Sequence, residues 1–373
     1  MKKILFFVDR MRTGGIQILL VNLIKAFDKE KYSFDVLLLD DGIEYPMEKE
    51  ITESGATIYK LSGVWLNKPG DYIGYTKSVR KFFELHHDYD VVHMHSSSKN
   101  YLILKYAQKY AISIRIAHSH NTGFQTHNVV KICVGNIMKE RLMFYATNYL
   151  ACSKIAGDWL FGKKAVETGK VKIIKNGIDI DRYRYNPIMR EKKRKEIGVT
   201  DNIVIGNVGR FVTQKNHTFL IEIFAEVKKK ESKAVLLLAG IGDLMEPMKE
   251  KAKELGLDDS VIFLGFRTDV NELIQAMDLF LMPSLYEGFP VTAVEAQASG
   301  LPCILSDSIT KEAALIEETV YIDLKKPSEY WAKHVVEKIG KSNRENSYKT
   351  LKAKGFDIKD MVISLENIYN KEV

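Results

Sequence analysis

The sequence predicts an α/β protein built from two doubly wound parallel-sheet units in series. Three observations carry that prediction. The chain has 373 residues, long for a single hydrophobic core, so two domains of ordinary size are expected. Short apolar runs of strand length alternate with amphipathic segments of helical period, the pattern of a parallel sheet wrapped by helices. The alternation stops at residues 181–201 and then restarts.

In the first half, residues 3–8, 34–39, 91–94, 112–117, 149–152 and 171–174 read as buried strands. The clearest helix begins after Gly15, with Ile16, Leu19, Leu20, Leu23, Ile24 and Phe27 on one face. Residues 181–201, DRYRYNPIMREKKRKEIGVTD, carry a proline, dense charge and little apolar periodicity. They read as a connector with a short basic helix. Residues 203–208, 234–239, 261–264, 279–282 and 303–305 are the strands of the second half. Residues 357–370 form a last amphipathic helix, with Met361, Leu365, Ile368 and Tyr369 apolar. The expected divisions are a first Rossmann-like unit over 1–182, a connector over 183–201 and a second such unit over 202–355. A C-terminal helix over 356–373 is expected to pack back on the first unit.

With 46% hydrophobic and 28% charged residues, the chain can fold as a soluble globule. Its formal charge of +7 suits an acidic ligand, an anionic membrane or nucleic acid without choosing among them. Nucleic acid is disfavoured, because the charge is diffuse and neither a reading helix nor a zinc pattern is present. Cys133, Cys152 and Cys303 are odd in number and lack metal spacing, which points to a reducing, cytoplasmic setting. The opening MKKILFFVDRMR is too short in apolar residues for a signal peptide and reads as a first strand. No uncharged apolar run reaches the ~18 residues of a membrane span.

Sheets of this kind bind ligands beyond the carboxyl ends of their strands, and with two units the cleft between them is the expected site. Thr13, Gly14 and Gly15 follow the first strand, where glycines let backbone approach a ligand and a helix N-terminus favours an anion. A tight turn without a ligand explains them equally. His118 and His120, in AHSHN, close the strand over 112–117. Two histidines at a strand end suggest a site role; they could share a zinc, but no third ligand lies nearby in sequence, so no metal is expected. GRFVTQKN, residues 209–216, puts Arg210 at a strand end and Lys215 near the next helix start. A cation there opposes the helix dipole, and a diphosphate would offset that cost. Gly240 and Arg267 end two further strands, where ordinary turns are the simpler alternative. In SLYEGFPVTAVEAQASGLP, Glu287 lies in a loop and Glu295 within a helix starting near Pro290 and stopping at Gly300. At 1.5 Å per residue, Glu295 is roughly 7 Å along the axis from Pro290. That suits two ends of one extended ligand rather than a glycosidase pair ~5 Å apart. The loop Gly288, Phe289, Pro290 and Val291 lies between them, with helix-start N–H groups available to phosphate oxygens.

These motifs together resemble the retaining GT-B-fold glycosyltransferases of the family-4, or group 1, superfamily. The E-x7-E spacing of Glu287 and Glu295 is the most specific element. TGG, HSHN, KNGID, GRFVTQKN, AGIGD and FLGFR stand in the same order, and the wording is similar to the bacterial capsular and exopolysaccharide branch. The resemblance implies that Arg210 and Lys215 hold the diphosphate of a nucleotide-sugar donor and that Glu295 binds ribose hydroxyls. Glu287 would contact the sugar near its reacting carbon. One of His118 and His120 would line the sugar and acceptor side, Gly14 and Gly15 would meet the phosphates, and the loop of Arg267 would receive the base. It implies UDP as the commonest nucleotide, no metal cofactor, and a glycan or polyprenyl-diphosphate-linked acceptor. The D-x-D string Asp179-Ile180-Asp181 falls at the domain junction and reads as structural. Residues 124–145 mix apolar residues with Lys131, Lys139 and Arg141. That pattern fits contact with an anionic membrane at the inner face of the plasma membrane, and it fits a packed helix equally. Two other functions stay open, a nucleotide-sugar epimerase of the same fold and a non-catalytic partner subunit.

Overall fold

The computed structural model describes residues 1–11, 14–61, 71–96, 98–124, 126, 128–340 and 344–371. They form two units, Met1–Gly177 with Ile358–Val373, and Ile178–Asp357. Thr13 of the TGG motif lies outside the described residues, as do positions 125 and 127.

In the first unit, β1 (Lys2–Phe7), β2 (Tyr32–Leu39), β3 (Thr57–Leu61), β4 (Val91–Met94), β5 (Ile114–Ser119), β6 (Asn148–Ala151) and β7 (Val171–Ile173) make one sheet. Their order is β3-β2-β1-β4-β5-β6-β7, and the pairings are parallel. The order reverses between β1 and β4, so the ligand crevice of this unit is expected beyond those two strand ends. The helix Gly15–Ala26 buries Leu19, Leu20, Leu23 and Ile24 on the face that the 3.6-residue period indicates.

In the second unit, β8 (Ile203–Val208), β9 (Ala234–Ala239), β10 (Val261–Phe263), β11 (Leu279–Met282), β12 (Cys303–Ser306) and β13 (Thr319–Ile322) follow the order β10-β9-β8-β11-β12-β13. They too pair in parallel, with the reversal between β8 and β11. Two strands, β3 and β13, are not evident from apolar pattern. Both lie at a sheet edge, and each buries only its last residue, Leu61 or Ile322. An edge strand half in solvent needs no continuous apolar run.

Residues 183–201, read as a connector, are part of the second unit. The helix Pro187–Glu196 packs on the helix Val270–Ala276. Lys193 and Arg194 are buried there. Lys193 Nζ lies 2.8 Å from carboxylates of Glu196, Asp269 and Glu272, and Arg194 Nη1 donates to the Ala276 carbonyl at 2.8 Å. The packed face is ionic, so apolar periodicity could not reveal it. Asp181 of the D-x-D string pairs with Lys352 Nζ at 2.6 Å.

The C-terminal helix Ile358–Tyr369 belongs to the first unit and buries Met361, Leu365, Ile368 and Tyr369. Tyr369 stacks on Phe27, ring centroids 5.8 Å apart. Its carbonyl accepts from Lys2 Nζ at 2.6 Å.

Candidate active site

The carboxyl ends of β8 and β11 flank the switch point of the second unit. Gly209 and Arg210 follow β8, and Arg210 is half-buried. The chain then makes a 3-10 turn over Thr213–Lys215. Asn216, in left-handed backbone at φ 54°, redirects it into the helix His217–Lys230. Lys215 therefore stands just ahead of a helix N-terminus. Its ammonium lies 2.7 Å from Glu287 Oε1. Gln214 Nε2 donates to the Tyr286 carbonyl at 2.9 Å and to Glu287 Oε2 at 3.3 Å. Leu285 N–H donates to the Gln214 carbonyl at 2.8 Å, and Asn216 Nδ2 to the Pro283 carbonyl at 3.1 Å. These bonds tie the two switch-point loops together and fix Glu287, which is 8% exposed.

The helix Val291–Ala298 follows, with Pro290 as its N-cap, Ser299 as its C-cap and Gly300 in left-handed backbone at φ 69°. Gln297 pins this helix. Its Nε2 donates to the carbonyls of Ala293 and Ala313, and its Oε1 accepts from the N–H groups of Leu315 and Ile316 and the Thr319 hydroxyl. Glu295 sits inside the helix and is 2% exposed. Tyr183 Oη donates to its Oε1 at 2.8 Å. Its Oε2 is buried without a partner among the described residues. Burial pushes the Glu295 carboxyl up to about 7, against the opposing pull of the Tyr183 bond.

A carboxyl group whose folded value is raised stabilises the fold below its unfolded value, and that contribution is lost as pH rises through the folded value. The window runs from about pH 4.5 to about pH 7. Replacing Glu295 with Gln, which copies the neutral acid, is expected to flatten that loss. The urea midpoint of the native chain should fall relative to that of Glu295→Gln as pH rises from 5 to 8, the buried histidines contributing alike to both chains; pH profiles that run parallel would refute the assignment.

Gly240 and Gly242 answer to packing. A Cβ on Gly240 (φ 149°) would lie 2.0 Å from the Gly209 carbonyl oxygen, and one on Gly242 (φ 158°) would lie 2.4 Å from that of Phe211. Their loop thus presses against the loop that carries Arg210, and Phe211 N–H donates to the Ile241 carbonyl at 3.0 Å. Arg267 grips Asp269 with two bonds of 2.7 and 2.6 Å. That pairing directs its guanidinium to the seam with Lys193.

In the first unit, Gly14 is extended (φ −175°) and caps the helix that starts at Gly15. His118 lies within β5 and His120 just after it. The parallel register sets His93 opposite Ile116, which brings His93 and His95 to the same face as His118 and His120. Sequence reading missed the first two. The signal was a second H-x-H at a strand end, in VHMHSS. All four imidazoles are buried. His93 Nε2 is 3.1 Å from His118 Nδ1, and His95 Nδ1 is 2.9 Å from His120 Nε2. Burial and mutual proximity hold His93, His95 and His118 well below the usual imidazole range, and burial takes His120 down to about 3. His93, His95 and His118 have ligand atoms within 4.8 Å of one another, so a third nitrogen ligand, absent from the sequence around His118 and His120, comes from β4. Two of the three ring pairs are close to parallel, His93 with His118 at 13° and His93 with His95 at 25°, and His95 is tilted by 39° to His118. The bond between His93 Nε2 and His118 Nδ1 puts a proton on one of these two nitrogens, and that nitrogen could ligate an ion only after losing it.

Two families account for most of the chain. Residues 13–182 match Glycosyltransferase Family 4, and residues 189–350 match Glycosyl transferases group 1. EpsF of Bacillus subtilis (strain 168), named as a glycosyltransferase, is 33% identical over 375 residues, which cover 99% of this chain and 96% of EpsF. This chain is a GT-B glycosyltransferase of the group 1 and family 4 superfamily. The UDP-Gal:alpha-D-GlcNAc-diphosphoundecaprenol alpha-1,3-galactosyltransferase of Escherichia coli is 30% identical over 226 residues, 59% of this chain and 58% of that enzyme. The crystal structure of Anabaena HepE in complex with UDP and glucose superposes with a TM-score of 0.81 over 100% of both chains, at 21% identity. That likeness is one of fold.

For this glycosyltransferase the second unit joins Lys215 to Glu287 at its switch point, with Arg210 on the same loop. It sets Glu295 on a separate contact with Tyr183. Tyr183 was hidden in the supposed connector, where a lone tyrosine carries no sequence signal.

Proposed function

We propose that this glycosyltransferase transfers a sugar from a nucleoside-diphosphate sugar, with UDP as the nucleotide, to a glycan or polyprenyl-diphosphate-linked acceptor, with retention and without a metal. The observation that carries the reading is the Lys215–Glu287 pair at the β8–β11 switch point, on the loop that also bears Arg210. An ammonium has three N–H donors. With one on Glu287, two remain for diphosphate oxygens, and Arg210 adds a planar fork. When the anomeric C–O bond breaks, its electrons pass to the leaving phosphate oxygen, which these cations stabilise. Glu287 stabilises positive charge on the sugar. The acceptor oxygen bonds to the anomeric carbon on the face the phosphate leaves, and its proton goes to that phosphate. Glu295, whose Oε2 has no partner among the described residues, binds ribose hydroxyls. Likeness to an enzyme named for UDP-Gal and an α-1,3 linkage, and to a HepE structure with UDP, supports the donor and the retained configuration. The UDP-Gal enzyme's diphosphoundecaprenol acceptor supports a lipid-linked one here.

Thermal shift with UDP, GDP and ADP, each with and without EDTA, tests the donor site. A ligand at 100 times its Kd adds about 2.7 kcal/mol. UDP is expected to raise Tm in EDTA, and Arg210→Ala to abolish the shift. Loss of the shift in EDTA, or none with any nucleotide, would overturn the metal-free site. An epimer formed from donor alone would favour the isomerase instead.

The enzyme's acceptor side includes the helix Val129–Tyr145, which buries only Leu142 among its residues. Val129, Val130, Ile137 and Phe144 are 58–74% exposed, beside Lys131. No helix among the described residues is long and apolar enough to cross a membrane. An apolar face with basic neighbours suits peripheral contact with anionic lipid at the cytoplasmic face. The protein is expected to float with liposomes containing phosphatidylglycerol and to stay down with neutral ones or after Val130→Asp with Phe144→Asp. Sedimentation with both liposome types would refute the contact.

A further inference from the structure

The four buried imidazoles form two pairs that differ in one respect. The pair His93–His118 is anchored at one end: the Tyr369 hydroxyl is 2.7 Å from His93 Nδ1. The pair His95–His120 has no such anchor, and the outer nitrogens, His95 Nε2 and His120 Nδ1, are unpartnered among the described residues. His118 Nε2 is likewise unpartnered.

A neutral imidazole has one donor nitrogen and one acceptor nitrogen. Burial raises Tyr369 well above the usual phenol range, so its proton stays on the oxygen. Tyr369 is fully buried, and His93 Nδ1 is the acceptor within reach of its hydroxyl. The reverse arrangement would have His93 donate to the phenol oxygen and leave a buried O–H without an acceptor, which is costly. The phenol therefore donates to His93 Nδ1. His93 then carries its proton on Nε2 and donates to His118 Nδ1. His118 in turn carries its proton on Nε2.

We propose that Tyr369 and His93 are positioning residues that lock His118 as a fixed Nε2–H donor, while the unanchored His95–His120 pair can take either of two neutral arrangements, with its outer proton on His120 Nδ1 or on His95 Nε2. The first unit then offers one fixed donor beside one group that can donate or accept at His120 Nδ1. A sugar hydroxyl, which is both donor and acceptor, complements that combination. His120 is the least buried of the four, at 8%, and its Nδ1 is a covered nitrogen without a partner among the described residues, so it is the member assigned to the hydroxyl. This assignment of ligand rests on the glycosyltransferase reading above; the tautomers do not.

The test is long-range 15N–1H correlation on the full chain with ring-labelled histidine, assigned with single His→Asn variants. His93 and His118 are expected as Nε2–H tautomers. Tyr369→Phe should shift the His93 and His118 ring nitrogens and lower kcat/KM about tenfold with an unchanged fold. Asn370→Ala, which removes a bond from just past the end of the helix Ile358–Tyr369 to the Tyr32 hydroxyl, should leave the rings unmoved. His118 protonated on Nδ1, or Tyr369→Phe leaving both rings in place, would overturn the proposal. So would Zn²⁺ shifting the rings of His93, His95 and His118 together, since that would make the cluster a metal site. If Tyr369→Phe does not fold, His93→Gln reports on His118 in the same way. Correct tautomers in a chain that transfers no sugar would fail the functional reading and leave the positioning network standing.

Discussion

Lys215→Ala is expected to lower kcat/KM by about a thousandfold and to weaken UDP binding, whereas Glu287→Gln lowers kcat and leaves UDP binding nearly intact. The asymmetry follows from which charge each group meets. In the proposed mechanism Lys215 meets the diphosphate in the ground state and more strongly once the leaving oxygen is charged. Removing one preorganised donor from such a site costs about 10²–10³ in kcat. Glu287 is proposed to act on the sugar, where positive charge exists only in the transition state, so its loss shows mainly in kcat. The 2.7 Å ion pair between them adds a second expectation. Each single variant also disturbs its partner, so the double variant should lose less than the product of the two losses. Kinetics on the four proteins, with UDP titrations beside them, check this. Equal losses in UDP binding for both single variants would sink the division of labour.

The parts of this site legible in sequence were those whose residue types are costly anywhere else. A lysine ahead of a helix N-terminus and a glutamate in a strand-end loop both ask for a partner, and each is the other's. Gly240 was legible as a special position, and the Gly209 carbonyl that presses on it was not, since a glycine's sequence signal does not say what fills the space beside it. The contact of Tyr183 and the packing of the helix Pro187–Glu196 were not visible because their partners are polar. Lys193 and Arg194 are buried against acids and carbonyls, and a rule that equates burial with apolar residues reads them as solvent-exposed. His93 and His95 were overlooked for a related reason. Histidine falls between polar and apolar in any pattern count, and only the β4–β5 register set the two H-x-H pairs on one face.

The C-terminal helix gives the largest expected change in stability. Ending the chain at Asp357 is expected to prevent the first unit from folding. Met361, Leu365, Ile368 and Tyr369 each bury almost all of their surface against the β1–β2 side of that unit's core, which also contains Phe27, Tyr32 and Phe34. Full burial of a large apolar side chain is worth about 1.5–3 kcal/mol, so four such residues together contribute on the order of 6–12 kcal/mol. A whole domain is stable by only about 5–15 kcal/mol. The truncation would also expose Phe27 and remove the Tyr369 carbonyl that Lys2 Nζ holds, and His93 would lose its hydroxyl partner in the buried cluster. The second unit has its own core around Phe224, Leu236 and Trp331, to which this helix contributes nothing. The truncated chain should therefore keep one cooperative melting transition, still shifted upward by UDP, and lose the other. A truncated chain that retained both transitions would mean that the helix decorates the first unit and that its burial is worth far less than its side chains indicate.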